Sequence, residues 1–323
     1  GFVFSSISSP ILPAIFCNFI KITRSFFLQI IVVYFFKIIS SENFSVREGI
    51  SMNQTKQRIV VKVGTSTLTH STGSLNLYSM DHLARALADL MGQGNQIILV
   101  SSGAIGIGTA RLALPERPKE LRMKQAAAAV GQCRMMHIYD KLFSEYNRTV
   151  AQILLTGDDV DDPRRAEHLT GTFEALLSMG VIPVVNENDS VSSAEIETGQ
   201  HKVLGDNDTL SAIVAKLCRA DLLILVSDID GLYSADPRKN PDAKLIHRVE
   251  SVTPEILKMA GGAGTRRGTG GMATKLAAAK IATSSGCDMV ITNGERIEDL
   301  YEIVAGGDIG TRFLATRKEE VLA

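Results

Sequence analysis

The sequence predicts an α/β fold, a three-layer α/β/α sandwich with a mainly parallel central sheet. Three observations carry the prediction. Short β-branched runs recur through residues 52–323, each run is apolar on both sides of the pleat, and longer helical patterns separate one run from the next. Strands of this kind belong to parallel sheets covered by helices on both faces. An antiparallel sheet with one wet face would alternate apolar with polar residues instead.

"RIVVKV" (58–63) opens the series as a strand. "MDHLARALADLMGQG" follows as a helix, because Leu83, Leu87, Leu90 and Met91 recur at helical spacing and Gly92 and Gly94 stop it. "QIILVSS" (96–102) is the second strand, and residues 124–146 form the next helical pattern. "TVAQILL" (149–155) and "VIPVVNEND" (181–189) are strands on either side of a helix over 164–179. After a helix over 207–218 come the strand "DLLILVSD" (221–228), a Pro-bounded hairpin at "YSADPRKNP" (233–241), a helix over 271–286 and the strand "DMVITNG" (288–294). No repeat and no Pro- or Ser-rich linker interrupts residues 52–323, which makes one domain the economical reading and a division into two lobes around 200–205 the alternative.

The 323 residues carry 34 basic and 35 acidic side chains, a balance that suggests no nucleic-acid partner. Cys17, Cys133, Cys218 and Cys287 are far apart and make no CxxC pair, so neither a disulfide framework nor a zinc site is indicated, and a reducing cytoplasm is the simplest home. Composition breaks near residue 52: nine of the 12 phenylalanines precede it, and Met52 is the first methionine. The uncharged run from Ser25 to Phe36 is 12 residues, well short of the roughly 20 that a membrane-spanning helix needs. Residues 1–51 are therefore expected to be a disordered, non-native upstream extension, with the working domain at 52–323 and no membrane partner.

In parallel α/β sheets, ligands bind where strand carboxyl ends lead into helices. Here those loops are "KVGTST", "SSGAIGIG", "NENDSV" and "SDIDGLYSADP", with "GAGTRRGTGGMATK" (262–275) opening a further helix. All are small, polar or Gly-rich, as a backbone that approaches phosphate requires. No GK[ST] occurs, and "GAIGIG" reverses the dinucleotide fingerprint, so the standard phosphate motifs are excluded. Two lysines stand out. Lys62 interrupts the apolar strand "IVVKV", as an edge strand would allow, and Lys275 occupies a helix start where the dipole disfavours a cation unless an anion is near. Phosphoryl transfer uses positioned cations of this kind to offset charge on the transferred group. "GDNDTLSA" (205–212) then gains a meaning beyond capping: one carboxylate caps the helix, Asp208 is the candidate that orients the two lysines, and Asn207 presents donors to a substrate. "NEND" holds more acceptors than a turn needs, which makes Asp189 a candidate as well. The six histidines are scattered without partner spacing and default to the surface.

The segments "VVKVGTS", "VSSGAIGIG", "KQAAAAVGQ", "PVVNENDSV", "GDNDTLSA", "LVSDIDGLYSADPR" and "GTGGMATK", in this order, resemble the glutamate 5-kinases of the amino acid kinase family, from about residue 57 to "GTRF" at 310–313. The resemblance implies the amino acid kinase fold and ATP-dependent phosphorylation of the side-chain carboxylate of L-glutamate. The product would be L-glutamyl 5-phosphate, at the first step towards proline. It implies that Lys62 contacts the ATP phosphates, that Asp208 organises Lys62 and Lys275, and that Ser102, Asp189 and Asn207 bind glutamate. Ser227 and Asp228 match the nucleotide-contacting pair, with Ser227 standing where the family often has Thr. Thr269, Gly270, Gly271, Met272, Ala273, Thr274 and Lys275 match the loop over the ATP phosphates, with Lys275 as second catalytic lysine. Mg²⁺ is expected to ride on the nucleotide, since no carboxylate matches a dedicated protein ligand.

The resemblance further implies a homodimer or homotetramer and glutamate-5-semialdehyde dehydrogenase as downstream partner. The chain ends ten residues after Phe313, so the C-terminal PUA domain of many relatives is expected to be missing, and "TGQHKVL" (198–204) is longer than in some members. Acetylglutamate and aspartate kinases, or a catalytically silent glutamate or proline sensor, are the competing readings. Intact Lys62, Asp208 and Lys275 argue against the sensor.

Overall fold

The computed structural model describes residues 56–70, 72–191, 206–259 and 271–316. The expectations for residues 1–51, for a boundary near 200–205 and for the loop at 198–204 lie outside the described residues. The chain folds in the order β1 (Arg58–Val63), α1 (Thr65–Leu68), α2 (Leu77–Gly92), β2 (Gln96–Ser101), α3 (Ala104–Arg111), α4 (Leu121–Glu145), β3 (Val150–Leu155), α5 (Gly157–Asp161), α6 (Pro163–Ser178) and β4 (Ile182–Glu187). It continues with α7 (Asn207–Leu217), β5 (Leu222–Ser227), β6 (Arg248–Val249), α8 (Pro254–Met259), α9 (Met272–Ser284), β7 (Asp288–Asn293), α10 (Asp299–Val304) and β8 (Thr311–Phe313).

The strands make one eight-stranded sheet in the order β3-β4-β2-β1-β5-β7-β8-β6. From β3 to β7 all neighbours are parallel, and β8 runs antiparallel to β7 with β6 parallel to β8 at the edge. The six apolar runs in the sequence are the six parallel strands. The two additions, β6 and β8, are two and three residues long, too short to leave a periodic signal.

Strand alternation divides the core into two layers. Val60, Ile98, Val100, Val185, Leu223, Leu225 and Ile291 face one side, where they pack with Phe173 of α6, Leu210 and Val214 of α7, and Leu276 and Ala279 of α9. Ile59, Val61, Ile97, Leu99, Ile182, Val184 and Ile224 face the other, against Leu83 and Leu87 of α2, Met135 and Tyr139 of α4, and Leu300 of α10. This is the expected three-layer sandwich. Lys62 shares the parity of Val60, so its side chain is directed to the layer of α7 and α9. An edge-strand lysine is excluded, because β1 lies between β2 and β5.

"GAIGIGTAR", expected only as a glycine-rich loop, is helix α3. Its glycine content serves packing, not flexibility. A Cβ built on Gly108 would fall 1.7 Å from the Ala127 carbonyl oxygen, and one on Gly131 would fall 1.8 Å from the Ala104 carbonyl oxygen. The backbones of α3 and α4 thus touch directly, which fixes α4 in depth against the carboxyl end of β2. Among the described residues, no helix is long and apolar enough to cross a membrane.

Gly131→Ala should destabilise the domain by about 1–3 kcal/mol through overpacking against backbone. Gly106→Ala, in α3 with open space where its Cβ would lie, should be neutral or stabilising by about 0.5–1 kcal/mol. Urea unfolding of the two variants checks the contrast, and equal effects would show that the α3–α4 contact is not tight.

Candidate active site

The described parts of the loops that lead from strands into helices at the carboxyl ends of β1, β2, β4 and β5 converge around the N-terminus of α7. That helix starts where it does because Asp206 caps it: Asp206 Oδ1 accepts from the backbone N–H of Asp208 at 2.7 Å and of Thr209 at 3.0 Å. With Asp206 engaged as the cap, Asp208 is carried into the interior, where it is 2% exposed.

There Asp208 holds two ammonium groups. Lys62 Nζ lies 2.6 Å from Oδ1, as a close ion pair and not an aligned hydrogen bond, and Lys275 Nζ donates to Oδ2 at 3.0 Å. Both lysines are buried, at 8% and 5% exposure. The Thr274 hydroxyl sits 3.1 Å from Asp208 Oδ2 and 2.8 Å from the Gly271 carbonyl oxygen, which ties the first turn of α9 to the same carboxylate. Burial is the largest influence on Asp208 and pushes its carboxyl up. The attraction of Lys62 and Lys275 outweighs it and holds the carboxyl below the usual carboxylate range. Among the described residues, this cluster sets two cations against one anion, which leaves one positive charge in excess in a low-dielectric interior. Such an excess is costly unless a ligand anion meets it.

The second assembly is built from neutral groups. Asn207 Nδ2 lies 2.7 Å from Ser102 Oγ, 3.2 Å from Asn186 Oδ1 and 3.3 Å from the Ser101 carbonyl oxygen. Asn186, 2% exposed, donates through Nδ2 to Gln132 Oε1 at 3.0 Å. The expectation that Asn207 presents amide donors to a ligand is modified by this: its Nδ2 is already committed to acceptors of the protein. Ser101, one residue before Ser102, turns to the opposite face and meets the Tyr139 hydroxyl at 2.9 Å.

Beyond β4, a cavity of about 410 Å³ is lined in part by Gln132, Cys133, Glu187, Asn188 and Asp189. Burial, reinforced by the charge of Glu187 and partly relieved by Arg117, raises the Asp189 carboxyl to about 6. At the end of β5, Ser227 donates to Asp228 Oδ1 at 3.1 Å, and Asp228 is exposed. Gly271 is the N-cap of α9, with no side-chain cap; Met272, Ala273, Thr274 and Lys275 form its first turn, which contains no acidic residue of its own. Gly64, just after Lys62, leaves room beside the ammonium, since a Cβ there would stand 3.7 Å from Lys62 Nζ. Thr269 and Gly270 lie outside the described residues.

Lys62, Asp208 and Lys275 are thus brought together, as are Ser102 and Asn207. Asp189 lines the cavity with Gln132, and none of those five residues lines it. Sequence reasoning missed Asn186 and Gln132. An asparagine inside the otherwise apolar "PVVN" strand was the available signal for the first, and the glutamine beside Gly131 was weak evidence for the second. Of the histidines, His82 meets Glu298 Oε1 at 2.9 Å and is half-buried, while His70, His137, His168 and His247 are exposed.

The amino acid kinase family model matches residues 57–293. The chain is 54% identical over 263 residues to a glutamate 5-kinase of Clostridium perfringens, covering 81% of this chain and 97% of that protein. It is 56% identical to the glutamate 5-kinase of Clostridium tetani over 261 residues, 81% of this chain and 96% of that protein. A longer relative, the glutamate 5-kinase of Caldanaerobacter subterraneus, is 54% identical but only 68% covered. In fold, the chain is similar to a carbamate kinase from Giardia lamblia bound to AMP-PNP, with a TM-score of 0.58 and 14% identity, covering 81% of this chain and all of that one. It is also similar to the isopentenyl phosphate kinase of T. acidophilum, with a TM-score of 0.54 and 18% identity, covering 80% of this chain and all of that one.

Asp208→Asn should remove the charge that holds two buried cations and cost about 3–5 kcal/mol of stability at neutral pH. A carboxyl depressed in the folded state stabilises above its ordinary value, 3.8, and loses that contribution as pH falls through its folded value. Urea titrations of wild type and variant from neutral pH downward should therefore converge only at pH well below 3.8.

Proposed function

The chain belongs to the amino acid kinase family, and from that premise we infer that it is a glutamate 5-kinase. It transfers the γ-phosphoryl group of ATP to the side-chain carboxylate of L-glutamate, giving L-glutamyl 5-phosphate and ADP, the entry step of proline biosynthesis. The observation that carries the reading is the buried Lys62–Asp208–Lys275 arrangement with its uncompensated positive charge, in a chain 54–56% identical to glutamate 5-kinases over most of its length. The same identity weighs against acetylglutamate and aspartate kinases.

The chemistry asks for cations and no base. A glutamate side chain is already ionised at neutral pH, so its oxygen can attack the γ-phosphorus without losing a proton. A bond from that oxygen to phosphorus forms as the bond from phosphorus to the β–γ bridging oxygen breaks, and ADP leaves with the electron pair. Charge spreads over the transferred oxygens, and Lys62 and Lys275, fixed by Asp208, would offset it. The open N-terminus of α9, with Gly271 to Lys275, offers backbone N–H groups to the phosphates. Thr269 and Gly270, which precede Gly271 in the sequence, are assigned to the same phosphate contacts, and Ser227 and Asp228 to the nucleoside end. Ser102, Asn207 and Asp189 hold the amino-acid end of glutamate. Among the described residues, no three His, Cys, Asp or Glu side chains converge as a metal site. A divalent ion such as Mg²⁺ is assigned to the nucleotide, where it would offset phosphate charge.

The product is an acyl phosphate, which hydrolyses readily in water. A reductase such as glutamate-5-semialdehyde dehydrogenase is the partner that would consume it, in the cytoplasm, with the kinase acting as a homodimer or homotetramer.

Residues 52–323 with ATP, Mg²⁺ and hydroxylamine should yield a hydroxamate from L-glutamate and not from N-acetylglutamate or L-aspartate. No signal from glutamate would end the reading. Lys275→Ala should lower kcat by about 10²–10³-fold with a small change in the glutamate KM, whereas Asn207→Ala should chiefly raise that KM. Equal effects of the two changes on both parameters would contradict the roles given. Asp189 binds its proton more tightly in the fold than in the unfolded chain, so the anion that receives an ammonium is populated only above about pH 6. The glutamate kcat/KM should rise through that pH, and Asp189→Asn should flatten the rise.

A further inference from the structure

Among the described residues, Gln132 is the one amide of the site with a fully buried donor that meets no acceptor. It is 7% exposed, and its Nε2 is buried without a hydrogen-bond partner. The direction of that donor follows from the chain of amides before it. A backbone carbonyl can only accept, so the Ser101 oxygen fixes which end of Asn207 is nitrogen. That nitrogen must face Asn186 Oδ1, so Asn186 presents Nδ2 to Gln132, which in turn must offer Oε1. Nε2 is the remaining end. A flip of Gln132 would set two N–H groups against each other. An unmatched buried donor costs more than a made bond returns, so a site that keeps one is arranged for an acceptor that arrives from outside.

The cavity beside Gln132 narrows what that acceptor is. Glu187 and Asp189 line the same space and supply negative charge suited to an ammonium. The amide chain leads away from Asp208 and the two lysines, where the phosphorylated carboxylate belongs. Contact between α3 and α4 at Gly108 and Gly131 sets the backbone beside Gln132, and the Asn186 amide anchors its Oε1 at 3.0 Å. An amino acid whose side-chain carboxylate meets the lysines brings its ammonium and its α-carboxylate to this end together.

We propose that Gln132 is a substrate-binding residue whose Nε2 donates to the α-carboxylate of the amino-acid substrate, beside an ammonium received by the Asp189 wall. The proposal rests on the reading of the chain as a glutamate 5-kinase. It makes the site selective for a free α-carboxylate and assigns a specificity role to a residue of α4 that touches neither lysine of the phosphate end.

Gln132→Glu tests the donor alone: it keeps an oxygen for the Asn186 amide and replaces Nε2 with an acceptor. The two phosphoryl acceptors to compare are L-glutamate and L-isoglutamine, in which the α-carboxylate is an uncharged amide. The variant should raise the glutamate KM roughly 10–100-fold, with kcat changing far less, because a charge-assisted hydrogen bond is lost. The isoglutamine KM should stay level or fall. Parallel changes for both acceptors, or a loss confined to kcat or to thermal stability, would overturn the proposal. Gln132→Met, which removes the donor at similar volume, gives the same comparison should the Glu variant not fold.

Cys133 supplies a readout independent of turnover. It is exposed and lines the same cavity, whereas burial raises the thiols of Cys218 and Cys287 to about 12. L-Glutamate should protect Cys133 of the full chain from iodoacetamide, followed peptide by peptide, and Gln132→Glu should need roughly 10–100-fold more of it. A Cys133 that saturating glutamate leaves unprotected overturns the cavity as the seat of the α-carboxylate. A wild type that phosphorylates glutamate yet fails these comparisons sinks only the role of Gln132; one that does not phosphorylate glutamate sinks the functional reading as well.

Discussion

The contact on which the rest of this molecule's chemistry depends is one buried carboxylate shared by two buried ammonium groups. Asp208 fixes Lys62 at 2.6 Å and Lys275 at 3.0 Å. Without it, two like charges in a low-dielectric interior would repel each other and be hydrated by nothing. With it, both lysines are held in place and one positive charge is left over. In the proposed reaction that residual charge is the useful part, because the lysines need not reorganise when phosphate charge develops. Preorganised charge of this type stabilises a transition state more than mobile surface lysines can.

The rest of the fold can be understood as support for that contact. Lys62 needs a central strand so that a charged side chain can be buried beside its neighbours, and β1 lies between β2 and β5. Asp208 needs a helix whose capping is done by another residue, and Asp206 does it. Lys275 needs a helix start beside α7, and α9 packs there through Leu276 and Ala279 in the same core layer. The neutral amide chain from Asn207 to Gln132 then carries the site over the sheet edge to the opposite layer. Asn186 has the parity of Ile182 and Val184 and points towards α4, whereas Lys62 has the parity of Val60 and points towards α7 and α9. The paired lysines and the Gln132 end of the amide chain thus lie towards opposite layers of the sheet.

The α/β class and the six parallel strands were legible in the sequence because burial on both faces leaves continuous β-branched runs, and amphipathic spacing marks the helices between them. Two positions within "GDND" were legible too, Asp206 as the cap and Asp208 beside the lysines, because a capping position next to an apolar helix cannot use two carboxylates for one task, whereas the protein acceptors that engage the Asn207 amide were not. The sequence alone did not separate the edge-strand reading of Lys62 from the central one, since strand order depends on crossovers between segments far apart in the chain. Nor did it reveal α3, whose glycines look like a loop until the α4 backbone is seen to fill the space of their missing side chains.

The sequence by itself determined which chemical groups are present and which local elements carry them: two lysines at element ends, a carboxylate cluster at a helix mouth, and a glycine-rich start to α9. Only the tertiary structure decided which of those groups meet. Capping, periodicity and propensity act over a few residues and are written locally, while the Lys62–Asp208–Lys275 contact and the Asn207–Asn186–Gln132 chain depend on the order of strands in the sheet and on the face each side chain takes. A one-residue change of register would send Lys62 or Asn186 to the other layer with little change in local pattern. Long-range packing of two apolar layers fixes that register, and with it the site.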